Sequence, residues 1–339
     1  MKVSMVVPMY NVAPYIERCA RSLFEQTLDD IEYVFVEDCS TDNGLEILMS
    51  VLEEYPRRKP HVNIIHHEKN KGIAETKKDG YLGATGEYVI CLDSDDYVDL
   101  RMAELMYAKA KEKDADMVVC DIYWSIKGVN HLLKSALKGE GDNGINIKED
   151  LLNRRVTPGL WCKLIKRSII TSKEMKWPVG SFAEDVAITV FVTYLSEKIA
   201  YVEEPLYYYL YNDTSACYSN SKEKHLRNLR DSKINLEMVF QFLKEKGVYD
   251  RYREGVYLHK FYAKKLVMPF ANERKFRKLW FDTYPEMNHI LFWGDDVYKS
   301  SYRQKVWMIA IWLGLYPKYK RRLQSKRFLP NMRWHINDF

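Results

Sequence analysis

Residues 88–96 read Tyr-Val-Ile-Cys-Leu-Asp-Ser-Asp-Asp, an apolar run that breaks abruptly into carboxylates. A short apolar run of this length predicts a buried strand over residues 88–92. Outward from it, residues 3–8, 31–36 and 62–66 read as earlier strands and residues 117–120 as a later one. Helical spacing predicts helices over residues 15–26, 44–54, 75–84 and 100–113; on the first, Ile16, Cys19, Ala20 and Leu23 share one face. Strand and helix taking turns imply an α/β fold, Rossmann-like, with a mostly parallel sheet flanked by helices. In such sheets ligands bind beyond the carboxyl ends of the strands. Two acidic clusters fall there: Asp93-Ser94-Asp95-Asp96, and Glu37-Asp38-Cys39-Ser40 at the end of the second strand.

Past this region the pattern loosens. Residues 125–150 are rich in Gly, Asn and Lys and read as a mobile loop or insertion. Residues 151–215 hold two helical segments and the stretch Tyr207-Tyr208-Tyr209-Leu210-Tyr211, and from about Ser219 the signal is helical over residues 225–246, 256–269 and 302–315. The expected division is a catalytic domain over residues 1–215 and a helical, basic C-terminal region over 216–339. Charge follows the same division. Residues 1–215 carry 26 Lys+Arg against 35 Asp+Glu, net −9, and residues 216–339 carry 26 against 12, net +14. An acidic half suited to a cation is joined to a basic half suited to an anionic surface.

Composition narrows the class further. With 47% hydrophobic and 29% charged residues the chain can bury a core and remain in water. Cys19, Cys39, Cys91, Cys120, Cys162 and Cys217 show no CxxC or zinc-type spacing, so all six are expected reduced, as in the cytosol. The start, Met-Lys-Val-Ser-Met-Val-Val-Pro, does not read as a secretion signal, and no apolar run approaches the roughly 20 residues of a membrane span.

Several groups offer chemistry. Asp93 and Asp95, at i and i+2 after a strand, can face one ligand and suit Mg²⁺ or Mn²⁺ shared with a diphosphate; the blander reading is a solvated helix-capping turn. Asp38, with Glu37, can accept from base or ribose donors. Lys77 and Lys78 can neutralise phosphate or merely line a solvated helix face. Glu184-Asp185 precedes an apolar run. A carboxylate there can take a hydroxyl proton, or simply favour a helix N-terminus. His66 and His67 fit neither a zinc site nor a triad and read as structural.

Taken together, the sequence resembles glycosyltransferase family 2, the inverting family with the GT-A fold, in its bacterial branch. The resemblance rests on Val6-Val7-Pro8-Met9-Tyr10-Asn11, on residues 22–27 (Ser-Leu-Phe-Glu-Gln-Thr), and on residues 36–42 (Val-Glu-Asp-Cys-Ser-Thr-Asp). It continues through Asn70-Lys71-Gly72, residues 84–88 (Ala-Thr-Gly-Glu-Tyr) and residues 92–96. Later matches are Trp161-Cys162-Lys163-Leu164, Ala183-Glu184-Asp185 and residues 204–209 (Glu-Pro-Leu-Tyr-Tyr-Tyr), so the likeness covers roughly residues 1–215.

The resemblance implies transfer of a sugar from a nucleotide diphosphate, a UDP-sugar above all, to a hydroxyl of a glycan or lipid-linked acceptor in cell-surface polysaccharide synthesis. It implies that Pro8, Tyr10 and Asp38 line the nucleotide pocket, Asp93 lies near ribose and diphosphate, and Asp95 binds Mn²⁺ or Mg²⁺. Asp185 is the implied general base, with Glu184 its stand-in, and Trp161 and Lys163 flank donor sugar or acceptor. Some positions depart from the family pattern: Glu37 stands for the usual first Asp, Cys39 for a common Gly, Lys77-Lys78 for a frequent Arg-Asn, and Cys162 for Asn.

A catalytically silent scaffold and a sugar-nucleotide nucleotidyltransferase are the competing readings. Retention of Asp38, Asp93, Asp95 and Asp185 weighs against the first. The lack of a Gly-rich, Arg-containing loop at Val7-Pro8-Met9-Tyr10-Asn11 weighs against the second. Residues 302–327 join Trp307, Trp312 and aliphatic residues to Lys318, Lys320, Arg321, Arg322, Lys326 and Arg327, which suits a peripheral helix on the inner face of the cytoplasmic membrane. No nucleic-acid module accompanies this charge.

Overall fold

The computed structural model describes residues 1–126, 128–135, 146–157, 159–211 and 221–316. Strands β1 (Val3–Met9), β2 (Ile31–Glu37), β3 (Val62–His66) and β4 (Tyr88–Cys91) lie parallel in the order β3-β2-β1-β4. Helices α1 (Ile16–Phe24), α2 (Gly44–Glu53) and α3 (Ile73–Gly83) connect them. Every residue of β1 and β4 is buried, which is why these strands read as continuous apolar runs and not as alternating ones. Pairing of β1 to β4 ends at Val6, so Pro8, which has no N–H, is tolerated two residues on. A Cβ on Gly80 would lie 2.3 Å from Val6 Cγ1. Only glycine lets α3 approach β1 this closely.

Beyond β4 come β5 (Tyr97–Val98), α4 (Met102–Lys113), β6 (Met117–Ile126), β7 (Val129–Leu133), α5 (Ile147–Leu152), β8 (Lys163–Lys166), α6 (Arg167–Ile170), α7 (Glu184–Leu195) and β9 (Ile199–Leu210). The sheet continues β4-β8-β6-β9-β5, with β8 antiparallel to both neighbours and β6 parallel to β9. Two expectations change here. Residues 125–150 are not simply a loop: β6 runs through Ile126, β7 pairs back on it around Gly128 (φ +79°), and α5 begins at Ile147. Residues 136–145 lie outside the described residues. The Tyr-rich stretch belongs to β9, a strand of 12 residues. Its period-2 signal is broken because Cys120 pairs Val202 but Asp121 pairs Pro205, so Glu203 and Glu204 bulge out of register.

The chain forms two compact units, Met1–Leu151 with Val156–Asp213, and Leu152–Arg155 with Thr214–Phe339. The second is helical over its described part: α8 (Lys222–Glu245), α9 (Arg253–Lys265), α10 (Arg274–Asp282), α11 (Glu286–Trp293) and α12 (Tyr302–Trp312). Leu236, Val239, Phe240, Phe261 and Trp280 are buried in it. Ser221 caps α8, and Ser301 with Gln304 forms a capping box on α12. No described helix is long and apolar enough to cross a membrane.

Candidate active site

Lys77 is the centre of the arrangement. It lies on α3, three residues before Gly80, and is only 3% exposed. Its ammonium pairs with Asp185, with Glu184 Oε1 at 3.2 Å and with Asp93 Oδ1 at 3.9 Å. Glu184 and Asp185 open α7 directly after Ala183, whose φ of +63° turns the chain into the helix. Asp93 comes from the loop that follows β4. Residues 77, 93, 184 and 185, from three separate segments, thus meet at one point. Desolvation pulls the Lys77 ammonium down, but Asp185, Glu184 and Asp93 outweigh it and hold it well above the lysine range. Lys78 instead pairs with Glu75 on the helix surface.

The acidic tetrad divides its work. Burial pushes the Asp93 carboxyl up to about 7, with Lys77 opposing and Asp185, Asp95 and Glu184 adding. Asp96 is an anchor: Tyr207 Oη donates to it at 2.5 Å and the Leu210 backbone N–H at 2.7 Å, tying the loop to β9. Arg18 lies over the Tyr97 ring at 4.9 Å and donates to the Asp95 carbonyl at 3.3 Å. The Asp95 carboxylate takes part in no ion pair among the described residues, and burial raises its pKa. Three carboxyl groups face one ammonium, with Asp95 alongside. No group of three or more Cys, His, Asp or Glu side chains among the described residues makes a metal cage. What the site does offer is the pair Asp93 and Asp95, hard oxygen donors of the type that a dication shared with a diphosphate takes one or two of.

The ends of β1 and β2 form the second part of the site. Pro8 is buried and Tyr10 is 48% exposed at the rim. Asn11 Oδ1 accepts from the Thr41 N–H at 2.8 Å, and Asp42 Oδ2 from the Ala13 N–H at 2.7 Å, so the two loops are stitched together. Glu37 accepts from the N–H groups of Cys39 and Ser40 at 3.3 and 2.6 Å, holding the turn. Cys39 within that turn has φ +59°, the left-handed region for which glycine is free and other residues strained. Asp38, 2% exposed, accepts from the backbone N–H of Lys71 (2.8 Å) and of Gly72 (3.0 Å) and from His67.

Trp161 and Lys163 are both buried. Trp161 is 8% exposed and stacks on Tyr207 with centroids 4.8 Å apart, so Trp161, Tyr207 and Asp96 form one buttress. Lys163 is fully buried; its ammonium donates to the carbonyls of Gly159 and Thr157 and shapes the turn before β8. Reading the tetrad by i and i+2 spacing missed Asp96 and its Tyr207 partner. Arg18 was missed as well, and His67, read as structural, has partners that only the fold reveals.

A profile described as Glycosyl transferase family 2 matches residues 4–170. The chain is 30% identical over 236 residues to the Escherichia coli (strain K12) protein named Uncharacterized glycosyltransferase YibD, covering 68% of this chain and 67% of that one. It is 28% identical over 239 residues to Poly(ribitol-phosphate) beta-N-acetylglucosaminyltransferase TarP of Staphylococcus aureus, covering 69% and 70%. Among solved structures, residues 1–349 of S. aureus TarS in complex with UDP-GlcNAc superpose with a TM-score of 0.65 at 18% identity, covering 98% of this chain and 95% of that one. That likeness is one of fold. Because the E. coli relative spans two thirds of both sequences and the profile takes in β1 to β4 with the tetrad that follows, the chain belongs to glycosyltransferase family 2.

Proposed function

We propose that this glycosyltransferase moves a sugar from a UDP-sugar to a hydroxyl of a cell-surface polysaccharide or lipid-linked glycan, with a divalent metal as cofactor. The observation that carries this reading is the gathering of Asp93, Glu184 and Asp185 around Lys77 at the carboxyl ends of the strands. Asp95, with Asp93, would hold Mn²⁺ or Mg²⁺; when bound, that ion supplies positive charge beside the departing diphosphate. Asp185 is the base. It accepts the acceptor hydroxyl's proton as that oxygen bonds to the anomeric carbon and the bond from that carbon to the diphosphate oxygen breaks. Lys77 fixes the orientation of Asp185, and Glu184 is the alternative base. At the other end Asp38 offers its carboxylate to base or ribose, with Pro8, Tyr10 and Glu37 shaping the pocket. Trp161 and Lys163 serve donor and acceptor by holding the turn behind the site.

The UDP-sugar assignment draws on TarS, whose solved complex holds UDP-GlcNAc, and the polysaccharide assignment on TarP, named for poly(ribitol-phosphate). The cysteine spacing, without CxxC pairs, is what suggests a reducing compartment. On α12, Tyr302 is 84% exposed and Trp312 67%; residues 317–327, which carry six of the eight Lys and Arg of residues 302–327, lie outside the described residues. An anionic bilayer at the inner face of the cytoplasmic membrane suits both features. Flotation with anionic liposomes should recover the wild-type chain and lose Trp312→Ser; equal recovery removes the membrane contact. The catalytic reading is tested with a panel of nucleotide-sugars and Mn²⁺. Release of nucleoside diphosphate from one UDP-sugar is expected, and no release or binding from any donor overturns the proposal.

A further inference from the structure

His67 is a buried group that the transfer reaction does not use directly. It follows β3 and is 6% exposed, with its backbone N–H donating to the Glu37 carbonyl at 2.9 Å. Both ring nitrogens face carboxylates: Nδ1 lies 2.7 Å from Asp38 Oδ1, and Nε2 lies 3.0 Å from Asp79 Oδ2. An ionised carboxylate only accepts, so each nitrogen must carry a proton to bond there. The ring is enclosed between an acid at the end of β2 and an acid on α3, and it donates to both at once only as an imidazolium.

The surroundings balance that charge. Asp79 also takes the Lys71 ammonium at 3.0 Å, so Asp38, Asp79, His67 and Lys71 form one connected quartet. Within it Asp38 is arranged with care. Oδ1 accepts from His67 and from Lys71 N–H, while Oδ2 accepts from Gly72 N–H alone. A carboxylate has about four acceptor positions, so one on Oδ2 remains for an N–H or O–H from a ligand. Gly72, at φ +84°, is also the residue from which α3 starts, and the next residues of that helix lead to Lys77. Ala74 N–H donates to the Gly180 carbonyl at 3.4 Å, in the segment that leads to Glu184 and Asp185. Through Asp38 and Gly72, His67 therefore touches the framework of both ends of the site.

We infer that His67 is a positioning residue for the donor nucleotide: as a buried imidazolium bonded to Asp38 and Asp79, it fixes the Asp38 carboxylate and the Lys71–Gly72 backbone in the arrangement that receives the nucleoside. This rests on the reading that Asp38 meets base or ribose. A neutral side chain at this position leaves Asp38 without its cation and frees the segment from 67 to 72 to shift. The loss falls on nucleotide binding, because Asp185 keeps its own partner.

Two measurements test this. Calorimetric titration of UDP with Mn²⁺ into wild type and His67→Gln should show the variant weaker by about tenfold or more, some 1.4 kcal/mol. Donor hydrolysis should show KM for the donor rising while kcat at saturating donor stays within about threefold. An unchanged UDP affinity in the folded variant, or a fall confined to kcat, overturns the inference. Because the variant can fail to fold, the second measurement uses the wild-type chain: ¹H–¹⁵N spectra near neutral pH, in which both ring nitrogens of His67 should read as protonated. A neutral tautomer overturns the inference alone. If wild type binds neither UDP nor any other nucleoside diphosphate, the site reading fails first and this inference with it.

Discussion

Lys77 in the strand-rich unit and Lys264 in the helical unit are nearly equally hidden, at 3% and 0% exposure, yet their surroundings are opposite. Lys77 is faced by three carboxylates, which hold its charge firmly. Lys264, on α9, is faced by the carbonyls of Trp280 and Thr283 at 2.5 Å and by the Trp280 ring, and burial lowers its pKa to about 7. The first is a charge centre that gathers three acids, the cluster on which the proposed transfer rests. The second closes the end of α10, a structural use of the same side chain. Burial of a lysine therefore says little by itself; the charge of its partners separates function from framework.

The largest test of this contrast lies beside Lys77. Asp185→Asn keeps the shape of the cluster but removes the proposed base, so transfer should fall by about 10²–10⁴ while UDP affinity stays within about threefold. Full turnover would reject the assignment. Lys77→Met leaves Asp93, Glu184 and Asp185 without their cation and should cost about 3–5 kcal/mol in chemical denaturation. Lys77→Arg, which keeps the charge, should recover much of that.

Lys264→Met should cost less, about 1–3 kcal/mol, from the two carbonyls left without donors. The pH dependence makes the contrast sharper. Lys264 gives up its proton near 7 in the folded chain but near 10.5 when unfolded. Between those values the unfolded state binds more protons, so stability rises with pH. The wild-type denaturation midpoint should increase from pH 7 to pH 9, and the Lys264→Met slope should be flatter by up to about 1.4 kcal/mol per pH unit. An unchanged slope would show that Lys264 keeps its charge. The smallest effect is at Cys39. With φ +59°, Cys39→Gly relieves a left-handed strain of about 1 kcal/mol and should raise Tm by about 2 °C.

The sequence shows β1, β2 and β4 clearly, because strands covered on both faces are nearly unbroken apolar runs, and an acidic turn follows β2 and β4 directly. It shows Asp93, Asp95 and Asp185 as chemically suited residues. It does not show which lysine meets them. Lys77 and Glu184 are 107 positions apart, and no local periodicity reports such a pairing. Lys163 is placed beside donor or acceptor by the resemblance alone, and nothing local in the sequence shows that its ammonium meets the carbonyls of Thr157 and Gly159. Strand β9 escaped notice because its bulge at Glu203 and Glu204 interrupts the alternation that marks a half-buried strand. The glycine usual at position 39 had no visible reason until the backbone angle supplied one.

The most direct measurement is UDP binding to wild type and Asp95→Ala, each with Mn²⁺ and with EDTA. Acids converging on a metal and its diphosphate predict that wild type binds UDP far more tightly with Mn²⁺, and that Asp95→Ala loses this gain while matching wild type in EDTA. Equal loss in both conditions, or wild-type binding indifferent to the ion, would contradict a metal-dependent site built on these carboxylates.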